Sequence, residues 1–282
     1  MIEFFYALAH HGFMLNAVLT GLLASVACGV VGTYVVTRRI TYLVGGIAHS
    51  VLGGMGLAYY LAHVHGMTGL HPTHGAVAAA LLAAVAMTLV NRRAHEREDT
   101  VIGTLWAVGM AVGIIFIAAT PGYNQDLMSY LFGNILLVTT GDLWLIVGLD
   151  LLVLAVGLLF YRQLVAVSFD EEFAQVRGIR VGLFYLLLLT ITALTVVILV
   201  TVVGIVMVIA LLTIPAAVAG HFCRTMRRTM LLATGLCAAF TTVGLGLSYS
   251  YNLPPGATVI ILASITYLAS ALIRRLLHPY QS

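Results

Sequence analysis

The sequence has very little charge and no lysine. Of its 282 residues, 61% are hydrophobic and only 8% are charged, and all 13 basic residues are arginines. Soluble domains carry about 25% charged residues, so this chain lacks the charge needed to cover a water-facing surface. Together with a mean hydropathy of +1.07, this excludes an ordinary soluble protein and places the chain in a lipid bilayer.

Two kinds of site are also missing from the sequence. The three cysteines, Cys28, Cys223 and Cys237, are too widely separated to indicate a disulfide framework or a thiolate metal site. No G-x-x-x-x-G-K-[ST] phosphate loop occurs, so the chain is not expected to hydrolyse ATP, and we expect no permanently bound cofactor. The first residues lack the basic cluster of a cleaved signal peptide, and we expect them to be retained.

Apolar stretches of about 20 residues, the length of a membrane-spanning helix, fill most of the sequence. Arginine clusters between them mark the cytoplasmic face. The predicted spans lie near 13–37, 43–62, 75–91, 101–119, 143–161, 183–219, 229–248 and 257–273. The stretch 183–219 begins and ends at arginines, so it crosses twice or re-enters. We therefore predict one all-α transmembrane domain over 1–282, a bundle of eight or nine helices with its N-terminus outside and its C-terminus inside.

A polar segment, 168–181, interrupts the apolar stretches on the predicted inner face. It is too polar to cross a membrane and too long for a tight turn. Its pattern predicts a short helix that starts at acidic residues and ends at Gly178. The apolar residues on one face of this helix are Phe169, Phe173 and Val176. Such a helix can present an apolar face to a soluble partner; an ordinary solvated connector is the alternative.

Three segments together resemble the metal-ion ABC permeases of the zinc and manganese uptake type. They are the run DLMSYLFGNILLVTTGDL at 126–143, the run VVGIVMVIALLTIPAAVA at 202–219, and the short acidic helix with its alanine and glycine. The similarity extends from about Gly32 to the end of the chain. Glycines inside the spans, such as Gly53, Gly54 and Gly109, predict closely packed helices.

The resemblance implies a set of partners in a bacterial inner or plasma membrane. They are two cytoplasmic ATPase subunits, an extracytoplasmic metal-binding protein and a second copy of the permease, and no nucleic acid. The ATPase subunits are expected to dock on a coupling helix. The residues assigned to this coupling are Asp170, Glu171, Glu172, Phe173, Ala174 and Gly178.

Candidate metal ligands lie in one span and in two outer segments. His49 lies about one third of the way into the second span, where an ionisable residue is a functional hypothesis by default; a packing histidine is the alternative. The family resemblance implies an aspartate four residues earlier, where this chain has Gly45. The outer candidates are His63, His65, His71, His74 and Asp126. For the outer histidines, a capture loop and a merely polar loop are equally open.

Another acidic residue, Asp150, falls inside the fifth span. It cannot remain unpaired in hydrocarbon, so it should face the bundle interior, and a structural role is favoured over a ligand role.

These observations predict the permease subunit of an ATP-driven importer for a divalent transition metal. Zinc is favoured as the transported ion, because imidazole suits zinc whereas manganese prefers carboxylate oxygens. A manganese or iron-chelate ABC permease is the alternative within this class. A self-contained secondary transporter would need ionisable ligands from at least two spans near the midplane, and only His49 and Asp150 qualify. A receptor or scaffold is the remaining alternative.

Overall fold

The computed structural model describes residues 4, 8, 10–67, 69–93, 98–120, 133 and 135–277, and every regular element within them is a helix. One short 3₁₀ turn covers Ile135–Leu137. The α-helices in chain order are α1 (Gly12–Thr37), α2 (Thr41–Val64), α3 (Pro72–Arg93), α4 (Glu98–Ala119), α5 (Thr140–Leu159), α6 (Tyr161–Phe169), α7 (Glu171–Val176), α8 (Val181–Val203), α9 (Ile205–Phe222), α10 (Met226–Tyr251) and α11 (Pro255–Leu277).

Among the described residues, nine helices are long and apolar enough to cross a bilayer, namely α1 to α5 and α8 to α11. The all-α class is therefore confirmed. The stretch predicted to cross twice or re-enter forms two separate helices, α8 and α9, that meet at Gly204. This favours nine spans over eight with a re-entrant segment. That residues 1–282 form one transmembrane domain stays a prediction.

The spans divide into enclosed helices and peripheral helices. In the most apolar 18-residue stretch of each helix, 78% of the residues are buried in α2, 11% in α4 and 17% in α11. In α8 the buried share is 67%. The exposed faces of α4 and α11 are rich in Ile and Leu, as lipid-facing surfaces are. Helices α1, α2 and α8 therefore form the interior, and any polar group they carry is enclosed by protein.

Glycines bring α2 into direct backbone contact with both α3 and α4. A Cβ atom added at Gly54 of α2 would lie 2.1 Å from the carbonyl oxygen of Gly75 in α3. A Cβ atom at Gly109 of α4 would lie 2.6 Å from Cα of Ser50. Small residues permit this close approach in membranes, where association depends on van der Waals packing. The predicted packing role of the span glycines is confirmed at these contacts.

Arginines that lie far apart in the described sequence gather at one end of the bundle. Contacts between distant parts of the chain agree with this. Arg38, after α1, donates a hydrogen bond from Nη1 to the carbonyl oxygen of Val167 in α6 (2.6 Å). The guanidinium of Arg227, in α10, lies 4.8 Å from the ring centroid of Tyr161. We call this end the inner face, and the arginine rule predicts that it is cytoplasmic.

Candidate ion pathway and coupling surface

His49 lies inside the bundle, eight residues from the first residue of α2, which is about 12 Å along the helix axis. Its side chain is 7% exposed. The imidazole stacks on the indole of Trp106 in α4, with ring centroids 4.5 Å apart and an angle of 16° between the planes. Nδ1 is buried and has no hydrogen-bond partner within the described part of the chain. His49 is therefore an enclosed imidazole with an unused ring nitrogen.

Gly45, one helical turn before His49, makes room for the same indole. A Cβ atom at Gly45 would lie 2.8 Å from Cζ3 of Trp106. Any side chain at this position requires the indole to move. The space that the family resemblance assigns to an aspartate is thus filled from the neighbouring helix.

A cavity of about 420 Å³ lies beside this cluster in the inner half of the bundle. Residues of five helices, α1, α2, α4, α9 and α11, border it. The lining residues are Val36, Thr41, Tyr42, Gly45, Trp106, Ile209, Thr213, Ile214, Ala217 and Tyr267. Because Thr41 and Tyr42 are the first residues of α2, the cavity reaches the inner face. His49 is not among the lining residues, and Trp106 is.

Asp150 faces the interior of the bundle, as the sequence predicts, and is 6% exposed. Its Oδ1 accepts a hydrogen bond from the backbone N–H of Ala27 in α1 (3.1 Å). Beside it, the buried thiols of Cys28 and Cys237 lie next to each other. Cysteines that are far apart in the sequence are therefore neighbours in space, although both are free thiols. This buried cluster joins α1, α5 and α10.

On the inner face, the predicted short helix is α7, and both of its ends are defined by hydrogen bonds. At the start, Oδ1 of Asp170 accepts the backbone N–H of Phe173 (2.9 Å), which is the usual N-cap contact. At the end, the N–H of Gly178 bonds to the carbonyl of Gln175 (2.9 Å), and the N–H of Ile179 bonds to that of Ala174 (3.0 Å). This pair of bonds is a Schellman motif, and Gly178 has the positive φ of 75° that it requires.

Helix α7, together with Phe169 at the end of α6, has an exposed apolar face, and α7 has a buried anchor. The side chains of Phe169, Phe173 and Val176 are 67%, 51% and 87% exposed, whereas Ala174 is 0% exposed. A bulky apolar surface on the inner face of a membrane protein marks an interaction site. Ala174 points the other way, into the protein, so it positions the helix and its side chain does not meet a docked partner.

One arginine ties α7 to the spans. The guanidinium of Arg38 forms an ion pair with Glu171 of α7 and lies 4.2 Å from the ring centroid of Tyr185 in α8. It also donates to Val167 of α6. The side chain of Arg38 is 9% exposed, against 45% for that of Glu171. From the sequence, Arg38 indicates only which face of the membrane is cytoplasmic. Its buried position is visible only in the structure.

The four outer histidines do not converge. The ring of His63 stacks on Tyr59 one turn earlier, with centroids 3.9 Å apart, and His65 meets Tyr60 edge-on at 5.6 Å. His71 and His74 do lie together, with ring centroids 6.3 Å apart.

Within the described residues, no group of three or more His, Cys, Asp or Glu side chains is placed to hold a metal ion. Asp126 lies outside the described residues.

Within the described ranges, nine apolar helices form a bundle with a buried histidine beside an inward cavity and a helix exposed on the inner face, an arrangement that fits a polytopic transport permease. The chain belongs to the ABC 3 transport family, whose model matches residues 10–274. It is a multi-pass protein of the cell membrane, the permease of a metal-ion ABC importer. The ATPase of such importers is a separate subunit. The predicted resemblance is confirmed.

Several proteins are similar along nearly the whole chain. The membrane protein slr2045 of Synechocystis sp. is 46% identical over 275 residues, covering 98% of this chain and 95% of the relative. The manganese import system permease protein ScaB of Streptococcus gordonii is 32% identical over 268 residues, covering 95% and 94%. The solved structure of PsaBC from Streptococcus pneumoniae in complex with Fab superposes with a TM-score of 0.83 at 30% identity, covering 96% and 95%.

These relatives change the expected transported ion. Two relatives, ScaB of Streptococcus gordonii and MntC of Listeria innocua, are described as manganese permease or transport proteins, so manganese, the alternative in the sequence analysis, fits better than the favoured zinc. A single missing carboxylate at Gly45 does not decide which metal is transported.

Proposed function

We propose that this permease imports manganese. The observation that supports this most directly is the 32% identity, over almost the full length of both chains, to a manganese import permease. Transported ions pass through weak sites that keep several water ligands, and manganese accepts water and oxygen ligands readily. Thr41, Tyr42 and Tyr267 are among the residues that line the cavity, whose surface is mostly apolar, so a passing ion would keep its water ligands there.

Zinc is the second candidate, because of the residues nearest the cavity. His49 offers an imidazole, and none of the residues that line the cavity is acidic. Imidazole is a good zinc ligand. This argument concerns a single side chain, so we rank it below the full-length similarity.

Uptake by the reconstituted complex separates the two ions. Proteoliposomes that hold the permease with its ATPase subunits, supplied with the delivery protein and equal free concentrations of manganese and zinc, should accumulate manganese in excess. Accumulation of zinc in excess would reverse the ranking. Uptake of neither ion, with intact ATP hydrolysis, would contradict the proposal.

We propose that His49 is a transient ligand in the translocation path. Its burial, its unused Nδ1 and its position beside an inward cavity support this role. The replacement His49→Ala should abolish uptake and leave assembly and basal ATP hydrolysis unchanged. Ser50→Ala is the control in the same turn, since its hydroxyl bonds only backbone carbonyls, chiefly that of Gly46 (2.8 Å). Parental uptake by His49→Ala would show that the histidine only packs.

We propose that α7 is the docking site for the ATPase subunits. The exposed side chains of Phe169, Phe173 and Val176 provide an apolar surface, and the acidic start of the helix flanks it. Val176→Asp should prevent the ATPase subunit from purifying with the permease, because an unpaired charge would enter the interface core. Normal co-purification would contradict this assignment.

The remaining partners are also proposals. We expect an extracytoplasmic metal-binding protein to deliver the ion, and two copies of the permease to form the membrane unit. His71 and His74, which lie side by side on the outer face, are the best placed of the predicted outer ligands to meet the delivered ion. His63, His65 and Asp126 stay candidates.

A further inference from the structure

Trp106 separates His49 from the inward cavity. The indole borders the cavity and the imidazole does not, while the two rings stack nearly parallel at 4.5 Å. Trp106 is eight residues from the first residue of α4, as His49 is from the first residue of α2. The two side chains therefore lie at the same depth from the inner face, and the indole covers one face of the imidazole.

The backbone of α2 is shaped to seat this indole. At Gly45 the indole lies where a Cβ atom would be, at 2.8 Å. One turn closer to the inner face, the buried side chain of Ile102 packs on Gly46 in the same way, with Cγ2 3.0 Å from a Cβ atom added there. Two side chains of α4 thus close the contact between α2 and α4 on the inner side of His49.

On the outer side of His49 the same contact is closed by backbone. A Cβ atom at Gly53 would lie 2.7 Å from the carbonyl oxygen of Gly109, so the two helices touch directly there. Backbone contacts of this kind cannot open without separating the helices, whereas an indole can move by rotation about its side-chain bonds. The movable group between His49 and the inner face is therefore Trp106.

We propose that Trp106 is an inner gate, whose indole blocks His49 from the cavity when it is stacked and admits a partly hydrated divalent cation to or from the imidazole when it swings away. The indole is half-buried and borders an adjacent 420 Å³ space that can receive it. The stacked position corresponds to a closed inner path. This inference rests on the proposed role of His49, but the accessibility of position 49 can be measured without transport.

Cysteine accessibility tests the gate. In a background with Cys28, Cys223 and Cys237 replaced by serine, His49→Cys is introduced into the full-length permease in lipid nanodiscs. A polar thiol reagent then reaches both faces. Adding Trp106→Ala should raise the labelling rate of the cysteine by about tenfold or more, because the reactivity of a thiol follows its access and the side chain that covers position 49 is then missing. Trp106→Phe, which keeps an aromatic ring there, should raise it less.

Two controls distinguish a gate from general loosening. Trp144→Ala removes the chain's other tryptophan, which is 72% exposed at the opposite end of the bundle. Tyr42→Ala widens the same cavity at its inner end. Neither should change the labelling rate by more than about twofold, since neither side chain covers His49. An equal rise with Tyr42→Ala, or no rise with Trp106→Ala, would overturn the gate.

A second, independent test is the single variant Trp106→Cys with His49 intact. If the side chain at position 106 can move, its cysteine should react with the thiol reagent at a measurable rate. A cysteine at position 102, which is buried in the contact between α2 and α4, should react at least about tenfold more slowly, because thiol reactivity follows exposure. Equal rates would also overturn the gate. Failure of the role of His49 is recognised separately: His49→Ala would then transport normally while Trp106→Ala still exposes position 49.

Discussion

The inner and outer faces of this permease carry their charged and polar residues in different ways. On the inner face, Arg38 receives contacts from α6, α7 and α8, which are 129 or more residues away in the chain. On the outer face, the histidines meet partners within five residues, as His63 meets Tyr59 and His71 meets Thr73. The first group depends on the tertiary fold and the second on local chain geometry.

This difference indicates how the two faces handle their partners. A helix held by a buried arginine transmits displacement to the spans, because packed elements move as units. Exposed histidines with local contacts can adjust to an arriving ligand at little cost. We therefore expect rigid coupling on the inner face and adaptable capture on the outer face.

The comparison depends on which face of the protein lies outside the cell, and labelling from one side of the membrane tests this most directly. A cysteine at Gly69, which is exposed in the outer segment, should react with an impermeant thiol reagent in intact cells. A cysteine at Arg224, which is exposed on the inner face between α9 and α10, should not react until the membrane is opened. The expected result is all-or-none.

Both variants need a background without the native cysteines, since Cys223 is only half-buried. Detergent-opened cells supply the positive control for both positions. Reversed labelling would invert the topology and exchange the two faces.

The next largest effect is expected from Arg38→Ala. It removes an ion pair with Glu171, a hydrogen bond to Val167 and a contact with Tyr185. Hydrogen bonds to a charged group contribute about 1.5–3 kcal/mol, and half-exposure of Glu171 reduces its share. Metal uptake should fall about tenfold or more, while ATP hydrolysis by the assembled complex falls less, because the link between them is weakened.

Arg39→Ala is the matched control, since Arg39 is the next residue and is exposed. Arg38→Lys should restore only part of the uptake, because an ammonium group cannot make all the contacts that the planar guanidinium makes with Val167, Glu171 and Tyr185. If the Arg38→Ala permease imports metal at the parental rate, the prediction of rigid coupling through Arg38 is wrong.

The smallest effect is expected on the outer face. Removing His71 and His74 together should raise the half-saturating metal concentration by roughly twofold to fivefold, the range for exposed polar contacts of about 0.5–1 kcal/mol. The maximal rate should not change, because the spans are untouched. His63→Ala, with its ring stacked on Tyr59, should have no measurable effect. Complete loss of uptake in the double variant would mean that the outer face is as rigidly built as the inner one.

Much of the architecture could be predicted from the sequence because lipid imposes it. Spans, helix ends and the arginine-marked face follow from length, hydropathy and charge. The caps of α7 were also predictable, since Asp170 and Gly178 act on backbone groups within three to five residues. The burial of Asp150 followed from the cost of a carboxylate in hydrocarbon.

The neighbours of His49 could not be predicted in the same way. Which spans pack together is decided by complementary surfaces such as Gly45 against Trp106, and one sequence does not reveal these pairs. The same limit hid the contact between Cys28 and Cys237 and the role of Arg38. Contacts between residues that are far apart in the sequence can be identified only once the fold is known, even when each residue stands out in the sequence.

Gly204 has a consequence for how the protein is made. It is the one residue between α8 and α9, and its φ of 85° and ψ of 161° lie in a region that essentially only glycine adopts. The turn contains no polar loop that could hold α8 across the bilayer while α9 is still being synthesised. Residues 181–222 should therefore leave the ribosome and enter the membrane as one helical hairpin.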